Sequence, residues 1–214
     1  MNPLLWCLDF FGEMLPCMVL VLVLYLALLP LRRRSLRQRG LVSGPTREGT
    51  LLLFLLFCGG LAALTLFPHG FWTGGVWDLL RGEQVFPTGE MLEAKLAWLP
   101  QGLIPFHEIS RAGERSWTLF LLAGNIGMFV PLGLGSALLW RNGSWRRALL
   151  VGLGSSCLIE FVQFFIGRST DIDDVILNTA GALLGYGLYL LLKRLCPGAV
   201  GRLCCHRREG VHLA

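Results

Sequence analysis

The sequence predicts an all-α membrane protein: a polytopic bundle of about five transmembrane helices, with an interfacial helix in the loop 68–116. Three observations carry that expectation. Hydrophobic residues make up 54% of the 214-residue chain and charged residues only 15%, with a mean hydropathy of +0.59. Apolar runs at 14–31, 50–67, 117–140, 148–166 and 173–192 approach the ~20 residues that cross a hydrocarbon core of about 30 Å at 1.5 Å per residue. The alternating strands of about ten residues that mark an outer-membrane barrel do not occur, and a helix pairs its own backbone within the lipid.

The chain opens on an apolar segment, 2–13, with Asp9 and Glu13 and no Lys or Arg. It has neither a basic leader region nor a small-residue cleavage motif, so the first helix is expected to remain as an anchor. That helix runs to Leu31 and is followed by Arg32, Arg33, Arg34, Arg37, Arg39 and Arg47. Basic residues mark cytoplasmic loops, which predicts the loop 32–49 inside and the N-terminus outside. Arg141, Arg146 and Arg147 in the next inner turn agree, as do Lys193, Arg194, Arg202, Arg207 and Arg208 towards the C-terminus. Fourteen of the nineteen Lys and Arg then lie inside, against Glu48 and Glu209 as the only acids there. Topology therefore accounts for the net charge of +5, and nucleic acid is not an expected partner.

The second helix, 50–67, closes at Pro68 in the run TLFP. The loop 68–116 is too long for a turn and should carry structure of its own. Phe71, Trp72, Trp77 and Trp98 suit the headgroup level. Leu92, Leu96 and Leu99 recur at helical spacing among Glu90, Glu93 and Lys95, which predicts a short amphipathic helix in the outer interface, ended by Pro100 and Gly102. The alternative is that this loop folds over the bundle as a lid. The third helix contains Asn125, Pro131, Gly133 and Gly135, and Pro131 is expected to kink it. The fourth carries Glu160 and Gln163 near its end, and the fifth carries Asn178, Gly181 and Gly185. Glycines four apart are a close-packing pattern for membrane helices. Three divisions result: 1–49, an N-terminal helix with a basic loop; 50–195, the membrane bundle; and 196–214, a polar cytoplasmic tail expected to be loose. The loop 68–116 has no Cys, so no disulfide framework is implied. Cys196, Cys204, Cys205 and His206 match no zinc spacing.

One stretch concentrates the polar residues. Between Glu160 and Gly185 the chain places Glu160, Gln163, Arg168, Asp171, Asp173, Asp174 and Asn178. At 1.5 Å per residue from the outer ends of their helices, Asn125 lies about 12 Å deep, Glu160 about 9 Å and Asn178 about 7.5 Å. Three helices thus carry polar groups at similar depth, while their inner halves are apolar. Asp171, Asp174, Asn178, Gly181 and Gly185 fall on one helical stripe, polar outside and small inside. The candidate pocket is Asn125, Glu160, Gln163, Arg168, Asp171, Asp174 and Asn178. Capping accounts for part of it, since Asp171 and Asp174 fit the start of the fifth helix. No metal is assigned. A divalent cation is the cofactor that the carboxylates Asp171 and Asp174 would take, and Arg168 would hold a phosphate or carboxylate. Glu160 is the best candidate for an acid or base, because an ionisable group within a span is costly and needs a partner, a proton or water. No complete catalytic signature is present.

These residues resemble the VanZ-like family of bacterial membrane proteins. The resemblance rests on Asn125, Phe129, Pro131 and Gly133 in NIGMFVPLG and on Glu160 and Gln163 in EFVQ. It continues from Gly167 and Arg168 through Asp171, Asp174, Asn178, Gly181 and Gly185, with TLFP and LIPF as further features. The family usually has Asn before LIPF, where this chain has Gly102. The resemblance implies a multi-pass protein of the bacterial cytoplasmic membrane and cell envelope, in a family linked to resistance to glycopeptide antibiotics such as teicoplanin. The first expectation is an outer-leaflet pocket that binds the headgroup of a membrane lipid or lipid-linked cell-wall precursor. The alternatives are an intramembrane enzyme acting on a lipid-linked phosphate or ester, and a proton-coupled carrier using Glu160.

Overall fold

The structure, a computed structural model, describes residues 3–107, 116–140, 143–203 and 206–207, with side chains from Leu8 to His107, Leu122 to Trp140 and Gly143 to Leu203. Cys204 and Cys205 lie outside the described residues. The helices are α1 Pro3–Gln38, α2 Pro45–Leu66, α3 Val76–Leu80, α4 Gly89–Gly102, α5 Ser116–Leu138, α6 Trp145–Phe165, α7 Ile172–Leu195 and α8 Pro197–Arg202, with a π-helical turn at Phe71–Gly75 before α3. Segments Leu8–Gln38, Pro45–Leu66, Trp145–Phe165 and Ile172–Leu195 are long and apolar enough to cross a membrane, and α5 adds the apolar stretch Leu122–Leu138. The only pairing of strands among the described residues sets β1 Leu41–Val42 antiparallel to β2 His206–Arg207.

Local chemistry explains the ends of these elements. α1 outruns its apolar core because Arg, Leu and Gln are good helix formers, and it stops before Gly40, which sits at φ +65°. Side chains of Thr88, Ser144 and Asp171 cap α4, α6 and α7 by accepting from the backbone N–H of Met91, Arg147 and Asp173. α5 stays helical through Pro131. Residues 71–102 of the long loop after Pro68 carry structure, and α4 matches the amphipathic helix expected there.

α5 and α7 form the most intimate pair. A Cβ added to Gly181 would fall on the carbonyl of Ile126, one added to Gly185 on that of Val130, and one added to Gly133 on that of Ala182. The backbones touch, and residues 126 and 130 keep step with 181 and 185, so the two helices are parallel. α6 runs antiparallel to α7, with Asn178 beside Ser156 and Gly152 against Ala182. α1 and α2 form a hairpin, with Gly59 against Val21 and Gly60 against Met14. The core joins α2, α5 and α6 through Leu61, Phe129, Leu132 and Ile159. A second cluster, Ala137, Leu138, Tyr189 and Val200, shows that the start of the expected loose tail is instead docked as α8. Outward faces are apolar, as on α1 at Val19, Leu20, Val23 and Leu24.

This packing gives the bundle two unlike ends. At one, the C-terminus of α1, the N-terminus of α2 and the C-terminus of α5 meet, and Arg47 donates to the carbonyl of Leu139 at 3.0 Å. At the other, the last turns of α2, α4 and α6 meet the first turn of α7.

Candidate functional site

The site is built at the second end, first of all from helix termini. Each helix leaves its last carbonyls and first N–H groups unpaired, and water is scarce beside a membrane span. Lys95 of α4 donates to the carbonyls of Gln163 and Phe164 at 3.0 Å each, and to that of Arg168, which caps α6. Its ammonium also sits 5.0 Å from the centre of the Phe164 ring. Burial pulls the Lys95 pKa below the usual lysine value, with the nearby Glu160 carboxylate opposing that shift. Arg168 donates to the carbonyl of Leu64, 2.5 Å away, in the last turn of α2. Burial likewise lowers the Arg168 pKa, against the carboxylates of Asp174 and Glu160. Asp171 caps α7, its Oδ1 accepting from the N–H of Asp173 at 2.9 Å. Asp173 is 0% exposed and accepts the N–H of Phe106, a residue held at φ +65°.

The intramembrane members lie just below. Glu160 is 6% exposed, and its Oε2 accepts the backbone N–H of Asp171 at 2.9 Å. Asn125 donates from Nδ2 to Asp174 Oδ1 at 2.5 Å, joining α5 to α7. Asn178 donates from Nδ2 to Ser156 Oγ at 2.9 Å, joining α7 to α6. The stripe read along α7 therefore divides in space. Asp174, Gly181 and Gly185 meet α5, whereas Asp171 and Asn178 meet α6. Gln163 is buried on α6 beside the Lys95 cap.

Several hydrogen-bonding atoms here are unmatched. Asn178 Oδ1, Thr170 Oγ1 and Thr179 Oγ1 are buried without a partner among the described residues. Glu160 Oε1 receives no hydrogen bond from a described residue. Native proteins rarely leave buried polar atoms unpaired, so such atoms point to water or a ligand.

The seven residues expected from sequence do gather at one end of the bundle, and the structure adds others. Lys95, Phe106, Ser156, Thr170 and Asp173 join them from three separate segments. Among the described residues no group of three or more His, Cys, Asp or Glu is arranged to hold a metal ion. Asp171 is engaged as a helix cap and Asp174 by Asn125. Gly102 has its own reason: a Cβ there would fall on the carbonyl of Thr170, so α4 can lie against the 168–171 turn only because this residue has no side chain.

This arrangement sits within a recognised sequence pattern, since the profile of the VanZ/LLP1 family matches residues 54–193. The chain belongs to the VanZ/LLP1 family. The matched span runs from α2 to α7 and contains every residue of the site, while α1 lies before it. No curated protein and no solved structure gives a match. Together with the apolar helices, membership makes the chain a membrane protein of the VanZ type.

Proposed function

We propose that this VanZ-type protein binds the polar headgroup of a membrane lipid or lipid-linked cell-wall precursor in the layer around Glu160, on the outer side of the cytoplasmic membrane. The observation that carries the reading is the unused hydrogen-bonding capacity of that layer: Glu160 Oε1, Asn178 Oδ1 and Thr170 Oγ1. The Asn178 oxygen only accepts, as does Glu160 Oε1 in the ionised carboxylate, so the matching headgroup brings donors: hydroxyl, amide or ammonium groups. Arg168 donates to the Leu64 carbonyl through one nitrogen, and its positive charge in the adjoining turn also favours a phosphate on the same ligand. The outer placement rests on the Arg-rich loops at the opposite end of the bundle, which the charge rule assigns to the cytoplasm. Sequestering such a headgroup would change what the cell surface exposes, in keeping with the link of the family to glycopeptide resistance.

The test is purification in native lipid, with the co-purifying molecules identified by mass spectrometry. A headgroup-bearing lipid is expected with the unaltered chain and lost in Glu160→Gln and Asp174→Asn. Retention of the same lipid by both variants would defeat the proposal. A turnover product that disappears in Glu160→Gln would replace it with the intramembrane enzyme. Proton-coupled uptake into vesicles, lost in the same variant, would replace it with the carrier.

A further inference from the structure

We infer that the other end of the bundle carries a second lipid site, in which Arg33 and Arg37 of α1 clamp the phosphate of an anionic phospholipid. A cavity of about 780 Å³ opens between the end of α1 and the start of α2, and Arg33, Arg37, Leu36, Leu41, Ser43 and Glu48 line it. A second cavity of about 440 Å³ lies across the same ridge, lined by Leu29, Pro30, Arg34 and again Arg33 and Arg37. Arg33 and Arg37 are one helical turn apart and project from one face of α1.

Charge decides what these cavities accept. Glu48 is the one acid in the linings, and it is already occupied. Arg32 donates to both of its oxygens, at 2.8 and 2.7 Å, and Tyr25 donates to Oε2 at 2.8 Å. Arg33, Arg34 and Arg37 form no ion pair with a described residue. Three exposed guanidiniums therefore face two cavities in which the described residues leave no anion for them. Depth identifies the source of the anion. Arg33 and Arg37 follow Leu31, the end of the continuous apolar run, by two and six residues, about 3 and 9 Å along the helix. The headgroup zone adds roughly 5–7 Å to each side of the hydrocarbon core, so Arg33 lies within it and Arg37 just beyond it, from where its long side chain reaches back. Leu29, Pro30, Leu36 and Leu41 supply apolar walls on which the first carbons of an acyl chain can lie. A free phosphate would gain nothing from them. The site lies on α1 and the turn after it, before the region the family profile matches, and it is separate from the Glu160 layer.

The full chain in micelles can be titrated with phosphatidylglycerol and separately with phosphatidylcholine, with bound lipids counted by native mass spectrometry. Phosphatidylglycerol is expected to bind the more tightly. At the worth of one basic residue beside an anionic surface, R33Q/R37Q should weaken it by roughly 25-fold. R194Q/R202Q removes the same charge elsewhere and should leave it nearly unchanged. R33K/R37K keeps the charge without the fork and should lie between. Circular dichroism checks that each variant stays helical, and R33A alone carries the comparison should the double variant fail to fold. Equal binding of the two lipids, equal losses in the two glutamine pairs, or displacement of the lipid by excess inorganic phosphate would overturn the inference.

Discussion

Adding a single methyl group at Gly185 should separate the two helices that hold the site together. The added Cβ would fall on the carbonyl oxygen of Val130, with Leu134 N at 2.7 Å and Val130 C at 3.0 Å, where ordinary contact begins at 3.4 Å. Every atom it meets is backbone, so no side chain can turn aside and α5 must move. A gap of about 0.5–1 Å forfeits a quarter to a half of the dispersion attraction of each atom pair it opens. Such overpacking costs about 1–3 kcal/mol. Alanine also stabilises a helix by about 1 kcal/mol over glycine, which blurs the single measurement. Gly187, two residues on in the same helix, removes that ambiguity, because an added Cβ there meets nothing within 4 Å. The helix-propensity gain is common to both substitutions, so Gly185→Ala should be less stable than Gly187→Ala by about 1–3 kcal/mol, the packing cost alone. Titration of the purified protein with SDS in mixed micelles, followed by circular dichroism, gives both values. Agreement within about 0.5 kcal/mol would refute the backbone-contact reading. The same movement draws Asp174 from Asn125, so Asn125→Ala should cost less in the Gly185→Ala background than alone.

Other consequences are open to the same assay. Asp173→Ala leaves the Phe106 N–H unpaired and should cost about 1–3 kcal/mol, with faster proteolysis at 103–107. Lys95→Met removes the cap on α6, with an expected loss of about 1.5–3 kcal/mol for charge-assisted bonds and faster hydrogen exchange at 166–168. Gly102→Asn restores the residue usual in the family but places a Cβ on the Thr170 carbonyl; it should destabilise by about 1–3 kcal/mol and lift α4, seen as lost exchange protection in 89–102.

The polar layer shows where sequence reasoning succeeds. An acid or amide buried in an apolar run is conspicuous, because few such residues can be placed there without a reason. Counting from helix ends brought Asn125, Glu160 and Asn178 to similar depth, and the structure sets them together on three adjoining helices. The capping role of Asp171 was equally legible, since a cap depends on residues within one turn. Lys95 was not: from sequence it is one charge on an amphipathic helix, and its task depends on carbonyls 68 to 73 positions away. The contact of Arg168 with the Leu64 carbonyl at the end of α2 was not legible either, since the two residues lie 104 positions apart.

Composition and run length alone mark a helical membrane protein, because bilayer thickness and the cost of unpaired backbone leave an apolar chain few alternatives. The sequence also marks which residues cannot be ordinary, since polarity inside an apolar run needs no structure to be noticed. Which atoms of those residues are already hydrogen-bonded is visible only in the folded bundle. Hydrogen bonding saturates pair by pair, and the pairs form between helices distant in sequence. With Asp171, Asp173, Asp174, Lys95 and Arg168 engaged, Glu160 Oε1, Asn178 Oδ1 and Thr170 Oγ1 have no hydrogen-bond partner among the described residues. Packing likewise decided the role of the glycines, because close approach of two backbones depends on the partner as much as on the residue.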